Sequence, residues 1–135
     1  MTTTIPQQDL SITYTSTRDD AQLILSILNG PMAVRAFDGM DVLFGYDETP
    51  TFEQFDSDHP HGSDGARAVS ALLGVNETIG TFVKQGLLDR GLVYDMFWIA
   101  GLWERCAPIA FHYREKSGVP EMYENFEALA KGQTT

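Results

Sequence analysis

An all-α fold, a compact bundle of four to five substantial helices with a long acidic loop, is what this chain of 135 residues predicts. Three observations point to it. Apolar residues recur at three-four spacing through long runs, as at Val69, Leu72, Ile79 and Val83, which is the period of a helix burying one face. Start and stop residues bracket those runs, with Thr17, Pro31, Ser63 and Asp89 ahead of them and Gly30, Gly86, Gly118 and Gly132 behind. Strand-like alternation is confined to a brief stretch at Ile12 and Tyr14.

Taken in order, residues 1–15 are polar, carry no helical stripe, and read as a flexible or docking arm before a single domain over 16–132. Thr17 or Ser16 caps a first helix whose Leu23, Ile24, Ile27 and Leu28 share a side, and Asn29-Gly30 closes it. Pro31 opens a second helix, where a fixed φ is tolerated in the first turn, and Gly39 within it suggests a close helix contact. Residues 45–65 are rich in Asp, Pro, Gly and Ser and form the acidic loop, with one short turn in "TPTFEQF" capped by Thr49, opened by Pro50 and anchored by Phe52 and Phe55. A long helix follows over about 66–85, and "GLLDRG" leads into another running unbroken over 90–117. A connection so short makes these two antiparallel neighbours at the centre of the bundle. Gly118, in a left-handed conformation, ends the second of them ahead of Val119-Pro120, and a last helix packs through Met122, Tyr123, Phe126 and Leu129.

The formal charge is -10, and it is unevenly placed. Residues 1–65 hold 11 acidic and 2 basic side chains, residues 66–135 hold 8 and 7. Between Ala36 and Ala66 stand Asp38, Asp41, Asp47, Glu48, Glu53, Asp56, Asp58 and Asp64 without one Lys or Arg. A surface of one sign repels nucleic-acid backbones and anionic lipid and attracts basic protein. The single Cys106 leaves no intramolecular disulfide, and Glu104, Arg105 and Pro108 interrupt the most apolar run. The expectation is a soluble cytoplasmic protein, with neither membrane nor direct nucleic-acid binding.

Within "YDMFWIAGLWERCAPIAFHYRE" the one carboxylate at the middle of the apolar sequence is Glu104. On a continuous 90–117 helix it shares a stripe with Phe97, Ala100, Ala107 and Phe111, which predicts desolvation. A buried carboxylate needs a cation or donor. Arg35 is the favoured cation, with Arg67 and Arg114 as substitutes, and Asn76, which replaces an apolar residue in the 66–85 stripe, supplies an amide. The expectation is therefore a structural polar cluster of Asn76, Glu104 and Arg35. Pro108 frees the carbonyl of Glu104 and bends the helix.

Catalytic and metal motifs are thin. No phosphate loop, paired-cysteine metal site or nucleophile elbow is present. "FDSDHPHGSD" gathers Asp56, Asp58, His59, His61 and Asp64, a ligand set for zinc, manganese or iron, but its spacing is not that of a calcium loop and it reads first as a solvated loop. His112 lies about 80° around the helix from Glu104 and reads as structural, and Cys106 as an inert core residue. No cofactor is expected.

The segments "ILNGPMAVRAF" at 27–37, "GVNETIGTFVKQGLLDRGLVYDMF" at 74–97, "LWERCAPI" at 102–109 and "YENFEALA" at 123–130 resemble a family of small bacterial domains of unknown function. The resemblance spans most of residues 20–130, and its specific part is the ordered combination of Asn76-Glu77, "GLLD" at 86–89, Trp103-Glu104, Arg114 and Asn125-Phe126-Glu127. It implies an all-helical fold and no particular reaction. Some members carry an N-terminal membrane helix, where this chain has a polar arm. The functional expectation is a non-catalytic protein-interaction domain, a homodimer or the acidic partner of a basic protein. The alternatives are a small helical metal-dependent hydrolase using Glu104, His112 or the Asp58-His59-His61 region, and an acidic inhibitor imitating nucleic acid.

Overall fold

The computed structural model describes residues 14–133. The predicted arm over 1–15 lies outside them except for Tyr14 and Thr15. Among the described residues the fold is all helical with no strand, but it has seven helices rather than four to five: α1 (Arg18–Leu28), α2 (Pro31–Phe44), α3 (Phe52–Asp58), α4 (Asp64–Lys84), α5 (Arg90–Met96), α6 (Ile99–Ser117) and α7 (Glu124–Lys131).

Two departures account for the larger number. The acidic segment contains α3, capped not by Thr49 but by the Thr51 hydroxyl, which accepts from the Gln54 amide, and anchored by buried Phe55. The run expected as one helix over 90–117 is two, because Phe97 is extended (φ -136, ψ 142) and Trp98 (φ -87, ψ 76) starts α6 afresh. Neither a proline nor a glycine stands at that break. Gln133 holds it open instead, its Oε1 accepting from Ala100 N at 2.9 Å and its Nε2 donating to Phe97 O at 2.9 Å, so polar backbone groups freed by the break find partners. At the other end Gly118 stops α6 in the left-handed region with φ 74.

α4 is the central element, and its main partners are α2 and then α7, with α6 only a minor neighbour. The expected central α4–α6 pair is therefore replaced by α4 against α2. Gly39 makes that contact close, since a Cβ there would collide with the Ala68 carbonyl. Leu43, Leu72 and Leu73 fill the core between α2 and α4, and Ile99, Ile109 and Phe126 fill it beneath α6 and α7. Thr17 and Asp20 form a capping box at the start of α1.

Candidate functional site

Asn76, Glu104 and Arg35 fall at separate places. Asn76 is buried in α4 and its Nδ2 donates to Leu72 O of the same helix at 2.9 Å. Glu104 and Arg35 are exposed, and no hydrogen bond or ion pair joins the three among the described residues. The break at Phe97–Trp98 is the physical reason for the position of Glu104. Phe97 belongs to a different segment, so half of the stripe assigned to Glu104 does not continue past it. α6 buries the face of Leu102, Trp103, Cys106, Ile109 and Ala110, with Glu104 on the outer side. Arg67 is also exposed.

The groups of the acidic segment are dispersed. Burial, together with the hydrogen bond that Tyr46 Oη donates to Asp58 at 2.7 Å, holds the Tyr46 phenol up at about 12. The His59 ring packs beside Phe55 and over Gly65. No three His, Cys, Asp or Glu side chains among the described residues come together as a metal-binding group. His112 is half-buried and stacks on Phe52, with ring centroids 3.5 Å apart and planes 6° from parallel. Burial pushes the Cys106 thiol up to about 12, leaving it protonated near neutrality and a poor nucleophile.

The polar residues that do converge lie between α4, α6 and α7. Helix α7 begins at Tyr123, which is left-handed (φ 61) and offers no side-chain cap. The cap comes from 46 positions earlier in the chain, in α4: Glu77 Oε1 accepts from Asn125 N and Phe126 N, each at 2.9 Å, and Oε2 accepts from Asn125 Nδ2 at 2.8 Å. A carboxylate here satisfies two of the orphan amides of the helix start and faces its positive end. Thr81 Oγ1 accepts from Asn125 Nδ2 at 3.1 Å and donates to Glu77 O at 2.8 Å. A Cβ on Gly80 would collide with the Asn125 carbonyl, so the glycine lets α7 come within reach of Glu77.

Arg114 closes the same junction from α6. Its Nε donates to Met122 O at 2.7 Å, and its Nη2 lies 2.9 Å from Glu127 Oε1, an ion pair without hydrogen-bond alignment. The guanidinium also lies over the rings of Phe111 and Trp103, at 5.4 and 5.7 Å from their centroids, and Trp103 meets Phe126 edge-on at 5.1 Å. Burial pulls the Glu127 carboxyl upward, but its pairing with the Lys131 and Arg114 cations outweighs that and holds the group below its ordinary value.

Two smaller joints work in the same way. Arg105 Nη1 donates to Leu43 O, Tyr46 O and Glu48 O at 3.1, 2.8 and 3.1 Å. It thereby closes the C-terminal end of α2, whose last turn has no basic residue of its own. Asp20 accepts from Thr17 N at 2.6 Å and from Asp89 N at 3.0 Å, tying α1 to the turn before α5. The Thr17 amide, acting against burial, holds the Asp20 carboxyl low, with help from the Thr17 hydroxyl and the Asp89 amide.

Opposite in character is a crevice of about 30 Å³ between α2, α4 and the α5–α6 break. Phe37, Met40, Phe97 and Leu102 wall it, and Asn76 is the single polar residue of its lining. Asn76 is 4 % exposed, and its Oδ1 has no hydrogen-bond partner among the described residues. Phe37 is 50 % exposed at the mouth, and Trp98, next in sequence to Phe97, is 57 % exposed.

Residues 13–133 match the family model described as Domain of unknown function (DUF4760). The chain belongs to this family. No curated protein and no solved structure matches it. The match spans all seven helices, so the Glu77–Asn125 and Arg114–Glu127 junction and the crevice both lie within the family domain. Also among the described residues, no helix is long and apolar enough to cross a membrane.

Sequence reasoning missed the capping roles of Glu77 and Arg105. The signal for the first is present in outline, since Asn76-Glu77 and Asn125-Phe126-Glu127 both stand out in the sequence, but nothing in either fragment says that they touch. For Arg105 the available clue was a helix, α2, ending at Gly45 without a cation nearby in sequence.

Proposed function

We propose that this chain is a non-catalytic, cytoplasmic protein-interaction domain that engages its partner through the surface around Phe37 and Trp98. The observation that carries this reading is the contrast in how side chains are used. Glu77, Asn125, Arg114 and Arg105 are committed to helix ends, whereas Phe37 keeps about half of its surface in water at an apolar crevice and Trp98, next in sequence to Phe97 of its wall, is 57 % exposed. Large aromatics held half-exposed around a preformed apolar recess favour docking. Catalysis finds less support, because the thiol of Cys106 is buried and protonated and His112 is stacked on Phe52.

A photo-crosslinking amino acid placed at position 37, and separately at exposed Arg67, tests this in the native cells. The expected result is one discrete protein adduct from position 37 and none from position 67. Equal adducts at both positions, or none at position 37, would overturn the reading.

A further inference from the structure

The interaction-domain reading leaves the partner open, and the crevice narrows it. Resting on that reading, we propose that the crevice between α2 and the α5–α6 break binds a basic amphipathic helix of another protein, anchored by a Tyr or Trp that donates a hydrogen bond to Asn76 Oδ1.

Asn76 supplies the first argument. Its amide nitrogen is bonded to Leu72 O, its oxygen has no partner among the described residues, and the walls around it are apolar. No donor of the described residues reaches this oxygen, and it is not sealed off from the crevice, so the donor of a docked side chain can meet it there. A water in a space of about 30 Å³ with one polar partner is weakly held and readily displaced. A side chain with an apolar body and a donor at its tip fits better, which is the chemistry of Tyr and Trp. The tip would enter the recess and the ring would lie in the mouth beside Phe37 and Phe97.

Charge supplies the second argument. Asp41 and Phe44 follow Phe37 by four and seven residues, so all three share a side of α2. Asp38 and Asp41 are exposed and have no ion-pair partner among the described residues, and the sequence from Ala36 to Ala66 contains no Lys or Arg. An apolar recess with one wall on α2, the helix that carries exposed Asp38 and Asp41, is complementary to a helix carrying Lys and Arg around its apolar stripe. A second copy of this chain is disfavoured by the same observation, since a two-fold contact would set Asp38 and Asp41 near their own equivalents.

The test uses the full chain and a fluorescein-labelled helical peptide of about five turns, built from Leu and Lys with one Tyr in its apolar stripe. Matched peptides replace Tyr by Phe or every Lys by Glu. Fluorescence anisotropy should show saturable binding of the Lys–Tyr peptide, about 3- to 10-fold weaker binding of the Phe version, and none of the Glu version. Phe37→Ser, checked for native helix content by circular dichroism, should weaken binding by about tenfold or more, and the Asn76 side-chain amide resonances should shift when the wild-type chain is titrated.

Lys-dependent binding that Phe37→Ser leaves unchanged would mean attraction to the acidic surface alone, and would overturn the crevice site while sparing the interaction reading. Self-association that Phe37→Ser abolishes, with no peptide bound, would put a second copy in the crevice and overturn the basic helix alone. No binding by a chain that stays monomeric overturns this proposal too, and the broader reading then stands or falls on adducts at position 37.

Discussion

The α4–α7 junction and the α2–α6 crevice are both places where helices meet over a polar residue of α4, and they are built in opposite ways. At the junction Glu77 accepts three hydrogen bonds from Asn125 and Phe126. One residue earlier in α4, Asn76 faces apolar walls with its oxygen open. Adjacent residues on a helix point about 100° apart, so the Asn-Glu step serves two different neighbours. A polar residue inside a helical bundle is thus explained by what its partner helix offers: α7 brings bare amides to Glu77, whereas α2 and α6 bring only hydrocarbon to Asn76.

The strongest way to break the junction is steric. Gly80→Val should push α7 away from Asn125 and cost about 3 kcal/mol or more of unfolding stability, the scale of overpacking a tight contact. A urea melt reads this directly, and an unchanged midpoint would mean that α7 sits further from α4 than described.

Removing the cap is the next largest effect. Glu77→Ala strands the Asn125 and Phe126 amides and should cost about 1–3 kcal/mol, with faster hydrogen exchange confined to the first turn of α7. Glu77→Gln retains one side-chain oxygen acceptor and should recover part of the loss. Equal losses for Ala and Gln would show that the capping geometry is not what stabilises α7.

Acid should loosen the polar joints before the apolar crevice. Asp20 and Glu127 both have folded carboxyl groups held below their ordinary values. Such groups contribute stability that is complete above the unfolded carboxylate range, about 4 to 4.5, and is lost as pH falls through the lowered folded values. The contribution from Glu127 is modest because Lys131 is largely exposed and its pairing is screened. Amide protection in α7 and at the α1–α5 joint, measured against the unstructured exchange rate at each pH, should therefore fall on acidification below about pH 4.5, while the environment of Phe37, followed by its aromatic resonances, should change only with global unfolding.

The crevice should answer substitution weakly in stability and strongly in binding. Asn76→Leu removes a polar group from apolar surroundings at similar volume and should shift stability by less than about 1 kcal/mol. A loss above about 3 kcal/mol, the range for breaking a buried polar network, would instead tie Asn76 into an essential internal bond. Smallest of all, Glu104→Ala at an exposed site should change stability by about 0.5 kcal/mol or less, which separates a surface Glu104 from a buried, paired one.

The sequence by itself determined the local elements. The Thr17 capping box, Pro31 at the start of α2, the stop at Gly118 and the three-four stripes of α4 depend on residues within a turn or two of each other, and such short-range rules are legible in order along the chain. Tertiary structure decided where those stripes point. Gln133 stabilises a break at Phe97–Trp98 that no local breaker announces, the break removes the continuous stripe on which the burial of Glu104 rested, and α4 turns chiefly to α2. Glu77 and Arg105 found their partners 48 and 62 positions away respectively. The spacing along one helix fixes which residues share a face, but not what another segment brings to it, because a hydrogen bond depends on distance in space and carries no trace in the periodicity of either strand of sequence.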